Sequence, residues 1–448
     1  MRTRLNRSPK GLGTMALALG LLAIALAGCA SPISPTRPTA TATLPTPILP
    51  TIAAPTPAAT LSLEPASEVI TLTVWTIPRF APGDGSPAAR TLNAQVEAFT
   101  QAYPKYHLDW VVRQPANSGG VIDFLLAAHE AAPAILPDIA VLDTRELGAA
   151  IRAGALQPLD GIISETLKAD LFPFARNASL NDDQWYAVPF EADIEHLIYD
   201  SKKIEVAPLT WTDLFHDGAT YAFPAGGENG RANDMLLIQY LALGGRLADS
   251  NGLPILEEAP LTTALSFYAD GRRNKILPPN LLDFKNTEDV LVAYSSGAVA
   301  LCNIRSDQYL ARRAQLRNPA FATLPTWNGA VATMGRARAF VLVAPDERRL
   351  AAAKAFVEWF MEPERSAAWT RAAGRLPTRQ AAMNLWGSSD LYFAFVRWQL
   401  ASAYFLPSLP EFDRTYLALQ AAVRDVLTGA ATPAEAAKRA VNAVIGKG

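Results

Sequence analysis

Between Ile70 and Trp75 the chain reads ITLTVW, branched apolar residues alternating with threonine, which predicts a buried strand. Pro78, Pro82, Gly83 and Gly85 then mark a loop. Apolar residues recur at helical spacing through 88–102, and Tyr103-Pro104 ends that helix. YHLDWVVR (106–113) predicts a second strand, GGVIDFLLAAHEAA (119–132) a helix, and PDIAVLD (137–143) a short buried strand. Strand–helix–strand–helix–strand is the order of a mostly parallel sheet covered on both faces. A second set follows, with AVPF and IEHLIYD as strands within 187–200, YAFP (221–224), a helix at ANDMLLIQYLALGG, and AVALCN (298–303). RARAFVLVA (336–344) predicts a late strand, followed by helices at 347–361 and 364–373, a break at LPTR (376–379), and three helical stretches. The last opens on a capping box, Thr432 to Glu435, with Pro433 at the first helical position. The expected fold class is α/β: two lobes, each a mostly parallel sheet flanked by helices, with a helical C-terminal tail.

Ahead of this lies a different pattern. Arg2, Arg4, Arg7 and Lys10 precede an apolar run from Met15 to Ala27. That run has the length of a signal peptide, well short of the roughly 20 helical residues a bilayer requires. Leu26-Ala27-Gly28-Cys29 resembles a bacterial lipoprotein box, so residues 1–28 are expected to be removed and Cys29 lipidated. Residues 30–67 hold nine prolines and eight threonines, with Arg37 and Glu64 as charges. Such a segment cannot bury enough apolar surface to offset its ordering entropy, so 29–67 reads as a disordered stalk. The protein is expected outside the cytoplasm, lipid-anchored to the outer face of the cell membrane or facing a periplasm.

Composition narrows the partners. Without residues 1–28 the chain carries 36 basic against 42 acidic residues and no basic tract, which gives no support for nucleic acid. Its other cysteine, Cys302, lies in an apolar run and reads as a small core residue. No G-x-S-x-G, H-E-x-x-H, Walker A or clustered Cys/His pattern occurs, and His107, His129, His196 and His216 are scattered. Neither catalysis, a cofactor nor a metal is therefore expected. GLGTMA (11–16) mimics part of a dinucleotide fingerprint inside the discarded signal, and DSNG (249–252) reads as a hairpin turn.

In this order the motifs resemble the extracellular solute-binding proteins of ABC importers, family 1, the group that includes the maltose-binding protein. The matching segments are collinear: AFTQAYPKYHLDWV, PDIAVLDTRELGAAIRAGALQPLD, WYAVPFEADIEHLIYDSKKI, ALGGRLADSNGLPIL, SSGAVALCNIRS, TLPTWNG and RAFVLVAPDERRLAAAKAFVEWFMEPERSAAWTRAAGRLPTR. The loop after Trp75 is long for the family, and NIRSDQ lacks an aromatic that many sugar binders carry there. The resemblance implies two lobes joined by crossings near 192, 332 and 378 that act as a hinge, with 68–192 and 333–377 forming the first lobe and 193–332 and 378–448 the second. A small solute, with sugar favoured, would sit between them at the carboxyl ends of strands. A monomer would deliver it to permease subunits and their ATPase. The alternatives are a module feeding a sensor and, less favoured, a secreted glycoside-acting enzyme.

Candidate ligand-binding residues follow from strand ends and crossings. Trp75 ends the first strand, where a core role is the alternative. Asp143, Thr144 and Arg145 follow the PDIAVL strand and could equally cap a helix. Glu191, Asp193 and Glu195 alternate along one side of an extended chain, where a solvated strand face is the plain alternative. In the resemblance Asp193 matches an acidic residue that contacts sugar. A carboxylate bonded mainly to ligand could be removed without destabilising the empty protein. Glu228 and Asn229 lie in a Gly-rich loop, Arg305 follows AVALCN, Trp327 sits beside a crossing, and Arg336 opens the late strand. Trp386 and Tyr416 are weaker candidates from the tail. Aromatic faces and carboxylates suit a sugar, and arginine would also suit an acidic sugar or another anion.

Overall fold

Alternation in ITLTVW produces strand β1 (Ile70–Thr76), which pairs in parallel with β2 (Tyr106–Val112) and β3 (Ile139–Asp143). The computed structural model describes residues 68–446 apart from 84, 116–118, 388 and 407–409. The signal, Cys29 and the stalk lie outside the described residues. Helices Pro87–Ala102, capped by the Ser86 hydroxyl, and Val121–Ala131 connect the three strands, as the sequence predicts.

The remaining strands are β4 (Leu180–Asn181), β5 (Gln184–Trp185), β6 (Val188–Asp200), β7 (Tyr221–Ala222), β8 (Leu301–Arg305), β9 (Pro319–Ala322), β10 (Thr333–Leu342), β11 (Leu376–Pro377) and β12 (Ala403–Tyr404). β4 and β5 form a separate hairpin. The others share one sheet in the order β2-β1-β3-β10-β6-β8-β7, with β9 and β11 added to β6 and β12 to β10. Parallel pairs lie toward both ends of the path, β1 with β2 and β3, and β7 with β8. The long strands β6 and β10 run antiparallel between them. This is the expected two-lobed α/β architecture.

β6 replaces the two strands expected over 187–200 with a single one, because nothing after Pro189 interrupts extension and both of its edges find partners. Residues 188–194 pair with β10, and 195–200 pair with β8 and β9. All but one of its thirteen residues are buried. The alternating acids are therefore not a solvated face.

The loop after Trp75 is folded onto the core. A short 3-10 turn, Pro78–Phe80, inserts Phe80 among Phe190, Phe340, Phe360 and Trp369, with ring centroids 4.7–5.2 Å away. Thr76 Oγ1 donates to the Phe80 carbonyl at 2.5 Å and closes the turn. Cys302 is a free, fully buried thiol in β8, as its apolar neighbours predict. Among the described residues four α-helices follow residue 379 rather than three, the first being the five-residue Gln380–Asn384. The Thr432 capping box forms, with the hydroxyl accepting from the Glu435 N–H at 3.3 Å.

Candidate functional site

Three acids on β6 face arginines on its neighbours. In register, Glu191 lies opposite Arg338 and Asp193 opposite Arg336 on β10, while Glu195 lies opposite Arg305 on β8. Strand period makes this a ladder, because residues two apart emerge on the same face. Glu191 binds Arg79 of the Phe80 turn through both carboxylate oxygens, at 2.5 and 3.1 Å, and has Arg338 at 3.6 Å. Asp193 accepts a hydrogen bond from Ser306 Oγ at 2.7 Å, with Arg305 at 3.4 Å and Arg375 at 3.7 Å. Glu195 accepts from Asn303 Nδ2 at 2.6 Å.

Asp234, at the start of helix Asp234–Ala242, joins this group and is ion-paired to Arg336. Asn233 caps that helix by accepting from the Leu236 N–H at 2.9 Å. The preceding turn needs glycine at 227, where φ is +67° and an added Cβ would stand 2.1 Å from the Arg231 carbonyl oxygen. Burial and the adjacent Asp234 push the Glu195 carboxyl up to about 8, far above the usual carboxylate range. Asp234 shifts the other way: burial opposes its charge, but Arg336 stabilises the carboxylate. Asp143 is likewise penalised by burial yet held at about 2 by Arg145, which donates to it from Nε at 3.0 Å and Nη2 at 2.9 Å.

These groups enclose two adjoining cavities. The larger, about 410 Å³, lies among Glu195, the 227–234 loop, the start of the Thr287–Ser296 helix, Arg305, Gln308, the beginning of β10 and Tyr416. That is within the usual range for small-ligand sites, about 300–1,000 Å³. The smaller, about 190 Å³, is lined by Arg79, Asp143, Arg145, Glu191, Asp193, Arg305, Arg336, Arg338 and Arg375 among others. Arg145, Arg305 and Arg336 line both. Neither cavity is predominantly apolar in its lining residues, so recognition here rests on hydrogen bonds and charge.

Most residues expected from sequence gather here. Asp143, Glu191 and Asp193 line the smaller cavity, Glu228 and Asn229 the larger, and Arg305 and Arg336 both. Asp143 also caps the following turn, so both readings of it hold at once. Three expectations are corrected. Trp75 is buried and lines neither cavity; its ring lies under Arg113, 5.2 Å from centroid to guanidinium carbon. Thr144 is buried and ties β3 to β10 by donating to the Ala337 carbonyl at 3.1 Å. Trp327 is 57% exposed, edge-on to Trp211 and away from both cavities. Of the tail residues, Tyr416 lines the larger cavity, whereas Trp386 is buried and donates to the Ala367 carbonyl at 3.2 Å.

Sequence reasoning missed Arg79, Asp234, Arg338 and Arg375. Arg338 had a signal, since it stands two residues from Arg336 on a strand. Arg79 and Arg375 had none, because only the folded loop and the 376–379 crossing bring them to β6.

A family model for bacterial extracellular solute-binding proteins matches residues 94–390. The chain is 32% identical over 78 residues to a maltotriose-binding protein of Pyrococcus abyssi, a stretch covering 17% of each chain. The fold is similar to the sugar-binding protein MalE of Xanthomonas citri, with a TM-score of 0.70 at 20% identity, covering 84% of this chain and 98% of that one. It is similar also to the cyclic alpha-maltosyl-1,6-maltose binding protein of Arthrobacter globiformis, with a TM-score of 0.69 at 18% identity over 84% and 98%. At such identities the two structures establish the fold, and the solute is a separate question.

Proposed function

Because the chain belongs to the bacterial extracellular solute-binding protein family, we propose that it captures a sugar or oligosaccharide in the cleft and delivers it to an ABC permease. The observation that carries this is the cavity of about 410 Å³ at the meeting of β6, β8 and β10, with polar groups contributed from both sides. Hydroxyl-bearing ligands suit such a lining, because carboxylates accept and guanidinium groups donate. The maltotriose-binding relative and the two sugar-binding structural neighbours support sugar as the ligand class. We place the passage between lobes at the handover within β6 after Ile194, near residue 333 at the start of β10, and near 378 after β11. Binding without chemistry fits acids that the fold already engages: Glu191 is held by Arg79, Asp193 accepts from Ser306, and Asp234 is paired with Arg336.

The family's location is extracytoplasmic, and we propose lipidated Cys29 as the anchor and 30–67 as the spacer. Mass spectrometry of the exported protein is expected to find a lipid on Cys29, and an unmodified Cys29 would remove the anchor from this account. The solute is tested by thermal shift of the purified full chain against sugars, sugar acids, polyols, amino acids and polyamines. A ligand at a hundred times its dissociation constant adds about 2.7 kcal/mol of apparent stability. Stabilisation by amino acids or polyamines and by no sugar would overturn the sugar assignment.

A further inference from the structure

Six arginines line the smaller cavity, Arg79, Arg145, Arg305, Arg336, Arg338 and Arg375, against three carboxylates, Asp143, Glu191 and Asp193. Two more carboxylates reach these arginines from outside the cavity lining, Asp234 on Arg336 and Asp307 on Arg375 at 2.6 Å. The lining of the smaller cavity is thus predominantly guanidinium, six arginines facing three carboxylates within it and Asp234 and Asp307 beyond it. Glu195, Glu228 and Glu288 belong to the larger cavity, which Arg231 and Lys285 also line.

One of these arginines lacks a hydrogen bond at a buried nitrogen. Arg305 Nε is buried without a hydrogen bond, its nearest carboxylate oxygens lying at 3.4 Å on Asp193 and 3.7 Å on Asp307. A buried donor without a partner is costly, and an arriving acceptor would remove that cost. Arg305 is also one of the three arginines that line both cavities. Aromatic stacking offers little in competition. Among the described residues lining the two cavities Tyr416 is the only aromatic, and the Arg231 guanidinium already lies over its ring at 4.7 Å.

We infer that the solute is an anionic carbohydrate, a sugar bearing a carboxylate or phosphate, whose charged group enters the arginine-lined cavity beside Arg305 while its ring occupies the larger one. This rests on the cleft being the solute site proposed above. Guanidinium recognises both oxyanions through paired N–H donors, so the two anions share one chemistry and the ligands tested separate them.

Calorimetric titration of the full chain tests it with maltotriose, trigalacturonate, glucose, glucuronate, glucose 6-phosphate and inorganic phosphate. At least one acid-bearing sugar is expected to bind about tenfold or more tightly than the neutral sugar of its length, and to weaken as salt rises. Trigalacturonate or glucuronate as the tighter ligand identifies a carboxylate, and glucose 6-phosphate a phosphate. In Arg305→Gln, shown folded by its melting curve, that preference should shrink by roughly tenfold, whatever happens to neutral sugar. Neutral sugars binding as tightly as charged ones would overturn the inference and leave the proposed function standing. Inorganic phosphate binding with no sugar, or no binding by any of the six, would overturn both.

Discussion

The carboxylate of Asp193 is already engaged in the empty protein, accepting from Ser306 and facing Arg305 and Arg375. Asp193→Ala should therefore weaken solute binding roughly ten- to a hundredfold and also lower stability by about 1–3 kcal/mol, since a buried hydroxyl and two arginines lose their acceptor. The Arg305 side chain is 35% exposed, so solvent screens part of its share of that loss. The sequence-based expectation of an unaffected empty protein is thus revised. Titration calorimetry and a melting curve on the variant check both halves. Unchanged stability would mean that the Ser306 and arginine contacts contribute nothing without solute.

Glu195 offers a second test at the same scale. Burial and Asp234 raise its folded pKa to about 8, above the ordinary carboxylate value of the unfolded chain. Between those two values the unfolded state has released a proton that the folded state keeps, so stability falls as pH rises toward 8. Glu195→Gln resembles the protonated acid and removes that slope. Its melting temperature relative to the parent should rise from about pH 5 to about pH 8. A difference that is constant with pH would show that the carboxyl is not protonated in the fold.

At the scale of elements, two substitutions contrast local with tertiary control. Thr432→Ala removes the N-cap of helix Pro433–Val444 and should cost about 1 kcal/mol, measurable by denaturant unfolding. That cap was legible because all its residues lie within four positions. Gly335→Ala on β10 meets a different constraint, since the added methyl would stand 2.5 Å from the ring of fully buried Phe174. Overpacking of this kind costs about 1–3 kcal/mol, and the same unfolding experiment should show it. A Gly335→Ala variant as stable as the parent would mean that helix Pro173–Ser179 yields freely. Nothing in GRARAF announces Phe174, which lies far earlier in the chain.

Across the whole molecule, β6 and β10 connect two parallel-stranded regions, and the candidate cleft lies where they meet. Closure of such an architecture around solute would let groups from both lobes contact it together. Small-angle scattering is expected to give a smaller radius of gyration with saturating ligand. A tight ligand that leaves the scattering unchanged would indicate a rigid binder or a protein already closed when empty.

Patterns confined to a few turns of chain carried their own meaning: the alternation of β1, the Ser86 and Thr432 caps, and the acid–x–acid–x–acid spacing of β6 follow from backbone periodicity and nearby hydrogen bonds. Those same rules could not decide what lay opposite. Trp75 and Trp327 look alike as candidates for sugar stacking, yet the first lies beneath Arg113 and the second on the outer surface. Arg79 and Arg375 look like ordinary surface residues until the folded turn and the 376–379 segment carry them to Glu191 and Asp193. Pairing between strands remote in sequence sets these neighbours, and with them the protonation of Glu195 and the charge of the cleft. Local sequence encodes which face a side chain occupies, while its partners across the sheet are set by contacts that no local window contains.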